Sequence, residues 1–248
     1  MTQVFSRGAH VGFPRMIAFF GPDGAGKSTQ AKLLVDLLES WDLKVKWAWV
    51  RSTHTIAYLV WLVFYRLNLC DDRSGFLSKM RAGFAVSYVN EDAYGAVSPI
   101  TMSPPRLKGR LSFFIWSVIE LVGIVPVVVF QVHLPLLFGR VVVAERFVVD
   151  SIASIAYFLG RNDFAESWQA HFLLGLVPNR TVFVYVDADY DTILRRRGSV
   201  AGPRDYTDFH RRLYSQLARR VGAFYVDASR NSVEEARERI LSYVSRPR

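Results

Sequence analysis

RMIAFFGPDGAGKSTQAKLL, residues 15–34, decides how this chain is read. Its opening, Arg15 to Phe20, is a short apolar run that stops at a glycine. From Lys27 to Trp41 apolar residues return at helical spacing, through Ala31, Leu34, Leu38 and Trp41. The order is strand, loop, helix. The loop between them, Gly21-Pro-Asp-Gly-Ala-Gly-Lys-Ser28, fits GxxxxGK[ST] in the context where that pattern has a mechanism. Glycines let the backbone curl around phosphate oxygens. The loop amides and the helix N-terminus then point partial positive charge at them, Lys27 reaches the β and γ oxygens, and Ser28 ligates Mg²⁺. An incidental glycine-rich turn is the competing explanation. On the first reading Gly21, Pro22, Asp23, Gly24, Ala25, Gly26, Lys27, Ser28 and Thr29 form an ATP site, with ATP and Mg²⁺ as cofactors.

Further apolar runs follow at Val45–Val50, Val141–Ala144, Thr181–Val186 and Ala223–Val226, with helical segments between them. Strands without inside/outside alternation, interleaved with helices, indicate a parallel sheet buried on both faces. The expected fold is α/β, a three-layer P-loop NTPase type with a five-stranded parallel sheet flanked by helices. A chain of 248 residues suits one such domain over 1–248. Within it, 1–14 reads as an N-terminal tail and 71–110 as an irregular insertion over the sheet's carboxyl edge.

Hydrophobic residues make up 51% and charged residues 21%, which argues against disorder. Six of the 31 basic residues are Lys, leaving 25 Arg, and the formal net charge is +9. Guanidinium forks suit phosphate oxygens, so this bias fits polyphosphate ligands. Charge alone fits nucleic acid equally well, and the loop motif is what selects a nucleotide; no nucleic-acid partner is expected. The single cysteine, Cys70, excludes an internal disulfide and fits a reducing cytosol; nothing directs export, and the expected location is cytoplasmic. Leu111 to Phe138 is long and apolar enough to span a bilayer, but Glu120, Gln131, His133, Pro126 and Pro135 interrupt it. A buried or dimer-interface helix pair is preferred over a membrane span.

Beyond the loop motif, FFGPDGAGKSTQAKLL resembles the opening of thymidylate kinases, whose loop carries an acid where Asp23 stands. Val141-Val-Val-Ala-Glu145-Arg146-Phe147 resembles that family's third strand, with Glu in place of the usual Asp. VDADYDTILRRR and RDYTDFHRRLYSQLARRVGAFYVDAS resemble its fourth strand, lid, following helix and fifth strand. The resemblance implies a nucleoside monophosphate kinase, with dTMP as acceptor and a homodimer as assembly. It implies that Glu145 holds Mg²⁺ through water and that Asp23, Arg51, Arg146, Asp150 and Tyr157 bind the acceptor. A mobile lid, 195–205, would bring Arg195, Arg196 and Arg197 to the phosphates, so Lys27, Arg146 and these three form the expected catalytic set. Asp227 to Arg230 would face adenine, a place a bland loop also fits. The triad Asp187, Asp189 and Asp191, which mimics a metal cluster, reads as helix capping.

The resemblance covers roughly 15–49 and 140–240. Between them Arg51-Ser-Thr-His replaces the family's Arg and Glu-Pro-Gly turn, and Glu120 stands in the helix that would supply an Arg to thymine. Phe113, Phe114 and Trp116 could stack a base there, or could be core. Two other functions compete: a deoxynucleoside kinase, since ERFVVDS also resembles that family's Glu-Arg-Ser segment, and a membrane-associated nucleotide-binding switch anchored by 111–138.

Overall fold

The computed structural model describes residues 13–50, 110–198 and 201–246. Five parallel strands form one sheet: β1 (Met16–Phe20), β2 (Val45–Trp49), β3 (Val141–Arg146), β4 (Thr181–Asp187) and β5 (Phe224–Asp227), in the order β2-β3-β1-β4-β5. In register, Met16 sits beside Val142 on one side and Thr181 on the other. The helices between are α1 (Lys27–Ser40), α2 (Arg110–Val128), α3 (Leu134–Leu137), α4 (Val148–Leu159), α5 (Trp168–Gly175), α6 (Tyr190–Arg197), α7 (Arg204–Val221) and α8 (Val233–Val244). The expected α/β fold with a five-stranded parallel sheet is what the chain adopts.

Strand alternation divides the core in two. Met16, Ala18 and Phe20 of β1 join Val142, Ala144, Phe183 and Tyr185 against residues of α2, α4, α5 and α7. Ile17 and Phe19 join Val143, Val182, Val184 and Val186 against Ala31, Leu34 and Leu38 of α1, Ile193 of α6 and Ala236, Ile240 and Val244 of α8. All five β1 residues are at most 1% exposed, which explains why the strand is an unbroken apolar run rather than an alternating one.

Residues 111–138 differ from the expected helix pair. They form one nearly continuous helical rod, with a π-helical turn at Val129–His133 between α2 and α3. Pro126 lies inside α2 and Pro135 in the first turn of α3. Neither ends the rod: a proline is tolerated in a helix's first turn, and the wider π turn lies just downstream of the mid-helix one. Ser117–Leu137 is long and apolar enough to cross a membrane. Yet Leu121, Ile124, Val128 and Val132 are core residues on the sheet, so crossing a bilayer would strip that face of its packing.

Strand order fixes where a ligand can sit. From β1 the chain crosses to β2, returns to β3 beside β1, then places β4 on β1's other side. Ligands in such sheets bind outside the carboxyl ends of the strands at this reversal, where Gly21 begins its loop and Arg146 ends β3. Gly21 has φ +143°, and a Cβ there would lie 2.0 Å from the Val186 carbonyl oxygen of β4. Gly139, φ +74°, has open space around it. Gly21→Ala should therefore lose about 3 kcal/mol or more of unfolding free energy, against about 1 for Gly139→Ala. Denaturant unfolding of both variants checks this, and equal losses would contradict the role given to the Gly21–Val186 approach.

Candidate nucleotide site

The loop leaves β1 and enters α1 through Gly26, which has φ 101° and supplies no side-chain cap; the first turn of α1 has no acid. The N-cap residue thus places no side-chain oxygen on the first amides of α1, an arrangement that suits an anion. Lys27 is 4% exposed. Its Nζ donates to the carbonyls of Gly21 and Pro22, each at 2.8 Å, and lies 3.6 Å from Asp23 Oδ1. Burial lowers its pKa and the Arg146 charge lowers it further, while Asp23, Asp150 and Glu145 oppose the shift.

The carboxyl end of β3 carries the partners. Ser28 Oγ donates to Glu145 Oε1, and Arg146 Nη2 donates to Asp23 Oδ1. Burial works against the Arg146 charge, but Asp23 and then Asp150 more than compensate, holding its pKa above the ordinary value. Asp150 is 3% exposed. Its Oδ1 lies 3.8 Å from Arg146 Nη1 and accepts from Tyr214 Oη at 3.0 Å, while its Oδ2 accepts from the Phe147 amide at 3.3 Å. Burial pushes its carboxyl from 3.8 up to about 6, with Arg146, Lys27 and these hydrogen bonds resisting.

The three arginines expected in a lid occupy the last turn of α6, so this part of the expected lid is helical, and α7 begins at Arg204. They do different things. Arg196 donates to the Ala25 carbonyl of the loop at 3.3 Å and to the Ala228 carbonyl at 2.7 Å. The Arg197 stem covers Gly24, where a Cβ would sit 2.8 Å from its Cδ. Arg195 turns back to Thr192 Oγ1 at 2.8 Å.

The turn after β5 is tied to this site: the Ser229 amide donates to Asp227 Oδ1, and Ser229 Oγ accepts from the Asp189 amide. Of the three aspartates read as caps, Asp189 accepts from the Thr192 amide at 2.7 Å and caps α6, while Asp191 lies in its first turn. Asp187 differs. It ends β4 and takes a two-pronged ion pair from Arg211 at 2.9 and 2.8 Å, because a carboxylate that is 6% exposed needs a charged partner more than a helix amide does.

Among the expected site residues, Asp23, Lys27, Ser28, Glu145, Arg146, Asp150, Arg196 and Arg197 are brought together by these contacts. Tyr157 packs against the rings of Tyr206, Phe209 and His210. Arg51, the stretch 71–109, Cys70 and the side chains of Phe113 and Trp116 lie outside the described residues. Phe114 is half exposed and meets the Trp168 ring at 6.5 Å. Sequence reading missed Tyr214 and Arg211; their spacing on α7 gave a faint signal, but their partners lie on distant segments.

The donor set can be tested against Mg²⁺. Among the described residues no three His, Cys, Asp or Glu side chains gather around a common point, which disfavours an all-protein cage. A hydroxyl and a carboxylate in contact, Ser28 and Glu145, fit Mg²⁺, which keeps several waters and completes its shell with substrate phosphates. No protein-family model and no curated protein matches the chain, so these side chains are the ground for its function.

The raised Asp150 pKa sets a pH dependence. Between 3.8 and about 6 the unfolded chain releases this proton while the folded one keeps it. The folded state then binds more protons, so Asp150's contribution to stability falls as pH rises through that window and stays low above it. Asp150→Asn has no such proton to release. Wild-type stability relative to Asp150→Asn should drop by about 2 to 3 kcal/mol between pH 4 and pH 6.5, measured by denaturant unfolding across that range. A difference that is flat or rises with pH would contradict the assignment.

Proposed function

We propose that this chain is an ATP- and Mg²⁺-dependent nucleoside monophosphate kinase, with dTMP as the acceptor that the thymidylate kinase resemblance favours. One observation carries the reading. Lys27, the Ser28–Glu145 pair and the Asp23–Arg146 pair converge at the carboxyl ends of β1 and β3, with Arg196 and Arg197 over the loop. A buried lysine on loop carbonyls, beside uncapped helix amides, is suited to a triphosphate, and a guanidinium across the crevice is suited to a second phosphate.

In the proposed reaction an oxygen of the acceptor phosphate attacks the γ-phosphorus of ATP in line, and the bond from that phosphorus to the bridging oxygen of ADP breaks. Ser28, and Glu145 through a water, would hold Mg²⁺, which would supply charge neutralisation to the phosphates. Lys27 moves from the Gly21 and Pro22 carbonyls to those oxygens, where its charge acts most as the leaving group develops. Arg146 holds the acceptor phosphate. Asp23, now paired with Arg146, is freed for the acceptor's sugar hydroxyl when that phosphate takes the guanidinium. Arg196 and Arg197 neutralise the transferred group; Arg195, turned to Thr192, contributes least. A homodimer belongs to the same reading by resemblance, and a cytoplasmic location by the single cysteine, Cys70.

Nucleosides and nucleoside monophosphates offered with ATP and Mg²⁺ test the class directly, and phosphorylation of nucleosides but not monophosphates would favour the deoxynucleoside kinase instead. Lys27→Ala should lower turnover by roughly three orders of magnitude or more, with the fold intact. Wild-type turnover in that variant would sink the proposal. Within α6, Arg196→Ala and Arg197→Ala should each lower turnover at saturating ATP by roughly 10- to 1000-fold while Arg195→Ala stays within about threefold of wild type. Steady-state kinetics of the three variants decides whether the division seen in the contacts extends to catalysis.

A further inference from the structure

The opposite edge of the sheet has a character of its own. The residue immediately before each of four adjacent strands is basic and exposed: Lys44 before β2, Arg140 before β3, Arg15 before β1 and Arg180 before β4. Val45 is in register with Val141 and Met16 with Thr181, which sets Lys44 beside Arg140 and Arg15 beside Arg180. The backbone ladder continues past the strands, linking β2 to β3 where the Lys44 carbonyl accepts from the Val141 amide at 2.9 Å and β1 to β3 where the Arg15 carbonyl accepts from the Val142 amide at 2.8 Å. Neighbouring strands lie about 4.8 Å apart, so the four cations form a row roughly 15 Å long. The turns leading into these strands, 13–15, 41–44, 138–140 and 176–180, contain one carboxylate, Asp42. Arg180 holds φ 62°, where glycine would cost less.

Beside this row stands an apolar tip. Leu137 is 82% exposed and Phe138 73%, and Leu134 and Phe130 extend the exposed face up the rod. Arg15 donates to the Leu136 carbonyl, which fastens the tip to the row. Cations after helix C-termini are favourable in themselves, since they oppose the helix dipole. That accounts for the charges and not for two large apolar side chains standing beside them in water.

We propose that this amino edge docks on the surface of an anionic lipid bilayer, with Leu137 and Phe138 entering the headgroup boundary and Lys44, Arg140, Arg15 and Arg180 facing lipid phosphates. The shape is that of a peripheral contact, a basic row with an apolar wedge, and charge complementarity chooses the occupant. The buried face of the rod stays on the sheet, and the nucleotide crevice opens at the other edge. The inference is independent of which phosphate acceptor the crevice takes.

Co-sedimentation of the full chain with phosphatidylcholine vesicles, with and without phosphatidylglycerol, tests it. Partitioning onto the anionic vesicles should exceed that onto neutral ones by roughly tenfold or more and fall with added salt. Arg140→Ala combined with Arg180→Ala should weaken it roughly thirtyfold, and Leu137→Ser combined with Phe138→Ser by a similar factor, each with its melting temperature unchanged. Equal partitioning onto neutral and anionic vesicles, or wild-type partitioning by either double variant, overturns the proposal. So does a fall in the sedimenting mass of the Leu137→Ser, Phe138→Ser protein with vesicle binding unaltered, which would make the tip a contact between two copies of the chain.

Discussion

Two cations, the buried Lys27 and the partly buried Arg146, share the Asp23 carboxylate at the carboxyl edge of the sheet, and much of the site follows from keeping them there. Neither could remain ionised among apolar strand ends without compensation, since removing an ion from water costs several kcal/mol even after relaxation. Asp23 contacts both, Asp150 backs Arg146, and the Gly21 and Pro22 carbonyls accept hydrogen bonds from the ammonium. Each compensating group is in turn placed by backbone. Asp150 is set by the start of α4, and the loop carbonyls by a glycine that only its missing side chain allows against β4. The arrangement is charge-balanced enough to fold, and Arg196 and Arg197 add positive charge beside the loop.

The sheet was legible because burial on both faces leaves a periodicity trace that needs no knowledge of partners. The runs at 16–20, 45–49, 141–146, 181–187 and 224–227 all read as strands, with ends shifted by one or two residues. The turn from β1 into α1 was legible because its residues are contiguous. What the sequence hid were pairings between distant segments, such as Tyr214 with Asp150 and Arg211 with Asp187, which leave no local pattern. The adjacent arginines 195, 196 and 197 read as equivalent for the same reason: a helix turn of about 100° per residue sends neighbours in different directions, and only the tertiary surroundings show which two meet the loop.

Helix termination was the reading that misled. Two prolines between 111 and 138 suggested a break, because an interior proline removes a backbone donor and crowds the preceding turn. The rod survives because packing of Leu121, Ile124, Val128 and Val132 against the sheet outweighs the local penalty. The same burial explains how a segment with the length and hydropathy of a membrane span can serve as a wall of the core.

The π turn at Val129–His133 has a consequence for how the two ends of the molecule stay in phase. A π turn accommodates one residue more than an α turn, which offsets everything beyond it by about 100° around the rod axis. Val128 before the turn, Val132 within it and Leu136 beyond it all pack on the core, while Leu137 and Phe138 take the outward direction set after it. Which way the tip faces is thus decided by a single added residue, and evolution could turn it to another side of the molecule by deleting one amino acid from the turn, with the strands and the 21–28 loop left untouched.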